Sequence, residues 1–389
     1  MKKLSLPLQL VLVIAGVLLF GSYLSEPAVR TCFTFSTVFK DLLSFLLPFI
    51  LFTFVATGIL SFKKNAPLVL GIMLAMIFVS NALAALLTFF VAERVIPYMG
   101  AAFGTDCFTA DSAPLEAYFS LKLPIPENAG VKALLAAIVV GLVLSFVSIP
   151  AIEQAIRRLK SIVEYILMHI FIPFLPLYVL GFLLEVQHKG VFLNLFEQYS
   201  SAVVVIVGLQ LTYLAWMYLV ASGFSLSQAK EAIGNAMPSY LTAFSTMSST
   251  ATVPVSVVCA EKNTGNRPLA DVAMPIMANV HLLGDSISTP MLALVTMAIF
   301  LCGMPTFMQY ALFVFYFCTS MFAVSGVPGG GILVMIPILK SQLGFTPEMQ
   351  SIIITIYMLM DSFGTAANVM GDGALVIMLN NVLKKFKIQ

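Results

Sequence analysis

Long apolar runs alternate with short polar breaks along this chain of 389 residues. The runs fall near 5–25, 41–62, 66–92, 131–152, 163–184 and 198–224. Each is long enough to form a helix of about 20 residues, the length that crosses a hydrocarbon core. The last third divides less simply. Residues 286–339 contain no Asp, Glu, Lys, Arg or His, which is too long a run for one crossing. That run is interrupted by Pro305 and by Ser325-Gly-Val-Pro-Gly-Gly-Gly331, and a similar interruption lies at Ser248-Ser-Thr-Ala-Thr-Val-Pro254. Backbone that leaves the helical state inside a membrane exposes amide groups, which only protein or a water-filled cavity can satisfy. The pattern therefore predicts two re-entrant hairpins, and paired broken segments of this kind mark the binding region of membrane carriers.

Composition narrows the class. With 60% hydrophobic and 10% charged residues and a mean hydropathy of +1.01, the chain reads as a polytopic membrane protein. A net charge of +2, with no basic run and no Gly-rich phosphate loop, gives no sign of nucleic-acid binding. The cysteines (32, 107, 259, 302 and 318) are scattered and lack C-x-x-C spacing, so they read as packing residues rather than disulfides or metal ligands. Lys2 and Lys3 precede an apolar run with no small-residue cleavage site, which predicts a first crossing rather than a removed signal.

Charge sets the orientation. Six crossings, a hairpin, a seventh crossing, a second hairpin and an eighth crossing bring both termini to the cytoplasm. This places 13 Lys and Arg inside and 7 outside, as the positive-inside bias requires. The proline-containing stretch 93–130 becomes the long external loop.

Candidate chemistry concentrates in Asp361-Ser-Phe-Gly-Thr-Ala-Ala-Asn368-Val-Met-Gly-Asp372. At about 100° per residue, steps of seven and eleven return close to the starting direction, so Asp361, Asn368 and Asp372 share one stripe of a helix. The two acids sit roughly 16 Å apart along its axis. An ionisable residue at mid-membrane costs about 2.5–3.5 kcal/mol, so the stripe predicts a path for a cation and a substrate. The halves also correspond. Thr252-Val-Pro254 precedes a helix carrying His281 and Asp285, and Gly326-Val-Pro328 precedes the helix carrying Asp361, which predicts an inverted internal repeat.

These motifs resemble the dicarboxylate/amino acid:cation symporter family, which includes glutamate and neutral amino acid transporters. The family's last-helix signature D-x-x-R-T-x-x-N-x-x-G-D is matched here by Asp361, Gly364, Thr365, Asn368, Gly371 and Asp372. Its first-hairpin serines and T-x-P are matched by Ser248, Ser249, Thr252 and Pro254, and its second-hairpin G-V-P-G-x-G by Gly326 to Gly331. The resemblance implies an all-α polytopic membrane protein of eight transmembrane helices plus two re-entrant helical hairpins, built from inverted repeats and working as an elevator. It divides the chain into scaffold helices 1 and 2 (1–65), helix 3 with the external loop (66–130), scaffold helices 4 and 5 (131–190) and a transport domain (191–389). That domain would hold helix 6, hairpin 1 (about 228–264), helix 7 (about 268–302), hairpin 2 (about 305–345) and helix 8 (about 348–385), with helix 3 moving alongside it.

The same resemblance implies the site. The residue matching Asp361 would bind the substrate's ammonium group. That matching Asn368 would bind its α-carboxylate, together with backbone amides around Ser248, Ser249, Val327 and Gly331. Thr365 and Gly364 would line the site, and Asp372 would ligate sodium with backbone carbonyls near Met277, His281 and Asn368. No cofactor is implied beyond the coupling cation, sodium, with a proton as the alternative. The implied partners are an amino acid, membrane lipid and two further copies in a homotrimer. The implied place is a bacterial inner (plasma) membrane.

Three departures from the pattern refine this expectation. Gly364 stands where acidic-substrate members carry an arginine, the alternative arginine position holds Met247, and 268–339 and 349–383 contain no Lys or Arg. A substrate's second carboxylate would be desolvated without a partner, so a neutral amino acid is expected over aspartate, glutamate or C4-dicarboxylates. Glycine at 364 also suggests space for a bulky side chain. Second, the helix-7 motif N-M-D-G-T reads His281-Leu-Leu-Gly284-Asp285, and Leu283 removes an acid that ligates a further sodium in relatives. His281 and Asp285, at i and i+4, are able to pair on one helix face; a protonated imidazole there would make the protein wholly or partly proton-coupled, and the alternative is a neutral histidine hydrogen-bonded within the core. Third, Asp285 stands where a threonine faces the substrate side chain, which leaves a cationic substrate such as lysine or ornithine as an alternative. An intramembrane hydrolase and a passive channel are the competing classes. No G-x-S-x-G or H-E-x-x-H motif supports the hydrolase, and two opposed hairpins suit alternating access better than a continuous pore.

Overall fold

The computed structural model describes residues 6–61, 67–99, 115–121, 123–124, 129–147, 149–188, 192–301, 303–322, 324 and 329–386. Every regular element among them is helical. Gly71–Tyr98, Tyr199–Ala221, Arg267–Phe300 and Pro347–Lys385 are long and apolar enough to cross a membrane by length and composition.

The first half begins with α1 (Leu6–Phe20) and α2 (Glu26–Ser61). The expected span at 41–62 is corrected here, because α2 starts at Glu26 and runs for 36 residues. In its polar first third, Thr31, Thr34 and Thr37 each satisfy their hydroxyl by donating to the carbonyl four residues back. The same stretch holds part of the long connection: Arg30 Nε donates to the Glu116 carbonyl at 2.7 Å, and Leu121 N–H donates to Asp41 Oδ2 at 2.9 Å. Next come α3 (Pro67–Val95), α4 (Ala129–Phe146), α5 (Pro150–Ile166) and α6 (Ile172–His188), with a π turn at Leu167–Phe171. The apolar reading missed α5. Its Ile156 and Val163 are buried while Glu153, Arg157, Arg158 and Lys160 share the helix, a two-faced pattern that a search for unbroken apolar runs passes over.

The second half contains α7 (Phe192–Ala221), α8 (Leu226–Thr246), α9 (Ser249–Thr264), α10 (Arg267–Val280), α11 (Leu283–Phe300), α12 (Phe307–Met321), α13 (Gly330–Leu343) and α14 (Pro347–Lys385). α11 is the centre of the molecule, buried at every residue from Leu283 to Ile299. It packs on α14, α3 and α7, and α8 packs on α9 as α12 does on α13. The α11–α14 crossing brings backbone against backbone. A Cβ added at Gly284 would lie 2.2 Å from the Gly364 carbonyl oxygen, so only glycine allows this approach.

Candidate functional site

The polar stripe of α14 is wholly inside the protein, with Asp361, Asn368 and Asp372 at 5%, 3% and 1% exposure. Both hairpin ends converge on this helix. From the first, Phe244 packs edge-on against Phe363 at 5.0 Å, and Ala243 meets Ala366 and Val369. From the second, Gly329 N–H donates to Asp361 Oδ2 at 2.9 Å. The other Asp361 oxygen accepts from Thr365 Oγ1 at 3.2 Å. Gly329 has φ of +72°, a turn that aims its N–H back at the carboxylate and that a side chain would strain. Val327 lies outside the described residues, as do Gly326 and Pro328.

The first hairpin breaks more tightly than the Ser248–Pro254 interruption suggested. α8 ends at Thr246 and α9 begins at Ser249, so the chain leaves helix only at Met247 and Ser248. Met247 takes the left-handed conformation (φ +51°), and Ser248 caps α9 by accepting from Ala251 N–H at 3.2 Å. Thr252, Val253 and Pro254 are helical, a correction to the expected break. Ser249, at the first turn of α9, is buried.

The expected continuous helix over 268–302 is also corrected. It divides into α10 and α11 at His281–Leu282, with no proline at the break. Two asparagines on other helices satisfy the freed backbone. Asn81 of α3 donates to the Val280 carbonyl at 3.1 Å. Asn368 Oδ1 of α14 accepts from Gly284 N–H at 2.7 Å and Asp285 N–H at 3.3 Å, serving as a cap supplied from outside the helix. Gln210 of α7 adds donors to the Gly284 carbonyl and to Ser288 Oγ.

The break removes the pairing of His281 with Asp285 that helical spacing allowed, because i and i+4 face alike only on an unbroken helix. His281 is fully buried and turns to α14 and α3. Its Nδ1 lies 2.9 Å from Asp372 Oδ1 and its Nε2 3.0 Å from Ser80 Oγ. Its backbone N–H donates to the Met277 carbonyl at 2.8 Å, which brings Met277 to the same turn. The second Asp372 oxygen, Oδ2, is buried without a hydrogen-bond partner, as is Asn81 Oδ1.

Asp285 points instead at the second hairpin and α14. It accepts from Tyr357 Oη at 2.7 Å and from Asn368 Nδ2 at 3.3 Å, and it is 3% exposed. Gly331 sits on this pair, since a Cβ there would lie 2.4 Å from Tyr357 Oη and 2.9 Å from Asp285 Oδ2. The space expected beside Gly364 is not empty. A Cβ at 364 would meet Asp285 Oδ1 at 3.3 Å and Ser288 Oγ at 3.9 Å, because α11 has closed onto the glycine.

Among the predicted residues, Asp361, Thr365, Gly331, Asp285, Gly364 and Asn368 thus form one buried group, and Met277, His281 and Asp372 form a second, with Asp372 about three turns along α14 from Asp361. Sequence reasoning missed Tyr357, Ser80, Asn81 and Gln210. A signal existed for three of them. Tyr357 is four residues before Asp361 and so shares its face, and Ser80-Asn81 is a polar pair inside an apolar run.

A family model described as the sodium:dicarboxylate symporter family matches residues 6–382. The chain is 25% identical over 228 residues to excitatory amino acid transporter 1 of Rattus norvegicus, covering 57% of this chain and 40% of that protein. It is 28% identical over 229 residues to the serine/threonine transporter SstT of Acinetobacter baumannii (strain AYE), covering 56% of this chain and 54% of that protein. The chain therefore matches about half the length of these relatives.

Proposed function

We propose that this chain, which belongs to the sodium:dicarboxylate symporter family, is a secondary symporter that couples inward sodium movement to uptake of an amino acid lacking a side-chain carboxylate. The single observation that carries the reading is Asp372 Oδ2, a buried carboxylate oxygen without a partner, 11 residues along α14 from a second buried acid. A buried charge of this kind is stable only when a counter-ion or donor completes it. Sodium is a hard cation that takes oxygen ligands, and Asp372 Oδ2 with carbonyls near Met277, His281 and Asn368 supplies them.

The substrate's ammonium group goes to Asp361. Each of its oxygens accepts one hydrogen bond, and an ionised carboxylate has about four acceptor directions, so room for an ammonium remains. The α-carboxylate goes to hairpin backbone amides, around Ser248, Ser249 and Val327, with Asn368 beside them. The hairpins close the two faces in turn as the transport domain slides along a scaffold held in a homotrimer. The setting is a bacterial inner membrane, with both termini cytoplasmic.

The side-chain end of the site selects against acids. It is lined by Asp285 and Gly364, and no Lys or Arg occurs in 268–339 or 349–383. A second substrate carboxylate next to Asp285 would lose its hydration with no compensating cation, at several kcal/mol. Proteoliposomes with an inward sodium gradient test this. A neutral amino acid such as serine or alanine should accumulate, with glutamate and aspartate slower by at least about 100-fold, the equivalent of about 3 kcal/mol. Glutamate uptake faster than that of every neutral amino acid would refute the reading.

A second reading has its own observation. The space beside Gly364 is taken by the Asp285 carboxylate, so that end of the site carries a negative charge. A lysine or ornithine side chain would place an ammonium there. Lysine should then compete with neutral substrate uptake, and Asp285→Asn should remove that competition while keeping sodium-dependent uptake. Absence of competition in the wild-type protein would leave the neutral substrate class standing alone.

A further inference from the structure

We propose that His281 is a positioning residue for the coupling cation, fixing Asp372 so that one chosen oxygen faces the ion. The inference rests on the reading that Asp372 receives sodium. It starts from the three-residue chain Ser80–His281–Asp372, which runs from α3 through the break between α10 and α11 to α14.

Hydrogen-bond bookkeeping assigns the atoms. With a cation on Asp372 the carboxylate is ionised and only accepts, which puts the proton of the 2.9 Å contact on His281 Nδ1. Nε2 is then free to accept from the Ser80 hydroxyl at 3.0 Å, which satisfies both ring nitrogens of a neutral imidazole. Oδ1 is thereby consumed and Oδ2 is left bare. The ring itself is confined. Its exposure is 0%, and a Cβ at Gly371 would lie 3.3 Å from His281 Cε1, so α14 passes close against it.

Because the ring is held in place, its hydrogen bond fixes the plane of the carboxylate, with one oxygen on the ring and the other turned away from it. The cation meets a single, pre-aimed oxygen rather than a rotating pair. Such partners behind a ligand typically set metal affinity by about 10–100-fold without touching the ion. The device also ties three helices together at the place where the ion binds. Ser80 is followed by Asn81, which caps the broken end of α10, so α3 holds both the ring and the backbone around it.

The role predicts which nitrogen matters. An asparagine at 281 places its amide N–H near the position of Nδ1 and keeps the contact to Asp372. A glutamine reaches toward the Nε2 position and keeps the contact to Ser80 instead. The test is sodium titration of thermal stability on the purified full-length protein, for wild type, His281→Asn, His281→Gln and His281→Ala. Amino acid binding is measured beside it across the same sodium range. His281→Asn should titrate close to wild type. His281→Gln and His281→Ala should need about 10–100-fold more sodium, and sodium-dependent amino acid binding should shift with it.

Equal sodium titrations for wild type and His281→Ala would overturn the proposal, and so would equal losses in His281→Asn and His281→Gln. Should His281→Ala fail to fold, the two carboxamides decide, since a merely space-filling role has no reason to separate them by the position of an N–H. A wild-type protein that sodium does not stabilise at all would instead remove the underlying reading of Asp372.

Discussion

Asp361→Asn combined with Asp372→Asn leaves a folded protein that no longer concentrates its substrate. Both changes preserve shape and remove charge. The Gly329 N–H can donate to the carbonyl oxygen of an asparagine at 361 while the Thr365 hydroxyl accepts from its Nδ2, and the His281 ring can donate to the carbonyl oxygen of an asparagine at 372. What is lost is the counter-charge for two desolvated cations. Removing one partner of a buried ion pair costs about 3–5 kcal/mol, a fall of at least about 100-fold in occupancy for each cation. The check is sodium-driven uptake in proteoliposomes, with size-exclusion profiles confirming the fold. A double variant that still accumulates substrate against its gradient would remove the basis of the proposed coupling.

Asn368→Leu is expected to be costly for stability as well as for transport. The side chain accepts from Gly284 N–H and Asp285 N–H and donates to Asp285 Oδ2, so a single carboxamide caps the start of α11 and restrains the acid next to it. Leucine has nearly the same shape and none of these bonds. Each buried N–H left without an acceptor costs about 1–3 kcal/mol, so the loss should be roughly 2–5 kcal/mol in unfolding free energy. A change to leucine at an exposed position such as Val204 should stay within about 0.5 kcal/mol. An Asn368→Leu protein with wild-type stability would show that the break in the helix is supported elsewhere.

These three residues mark how far the sequence could be read. The stripe of Asp361, Asn368 and Asp372 was visible because its spacing of seven and eleven is a property of one helix, and α14 runs unbroken from Pro347 to Lys385. The family was visible because its motifs lie within short stretches. The break at His281–Leu282 was not visible, because no glycine or proline stands at it. It depends on Asn81 and Asn368, which are far away in the chain and supply the missing hydrogen bonds. For the same reason the partner of His281 was misjudged. Helical spacing proposed Asp285, whereas the broken backbone turned the ring to Asp372. Gly364 shows a third limit. A glycine in a motif reads as an absent side chain, but whether the space stays open depends on how near the next helix comes, and α11 comes to backbone contact.

The most direct test of the central claim is thermal unfolding of the purified protein with and without sodium, in the presence and absence of a neutral amino acid. A ligand that binds only the native state stabilises it by about 2.7 kcal/mol at a concentration 100 times its dissociation constant. The account predicts that the amino acid raises the unfolding temperature in sodium chloride but not in choline chloride, and that Asp372→Asn abolishes the sodium-dependent part. Equal stabilisation in both salts, or a sodium effect that survives Asp372→Asn, would contradict it.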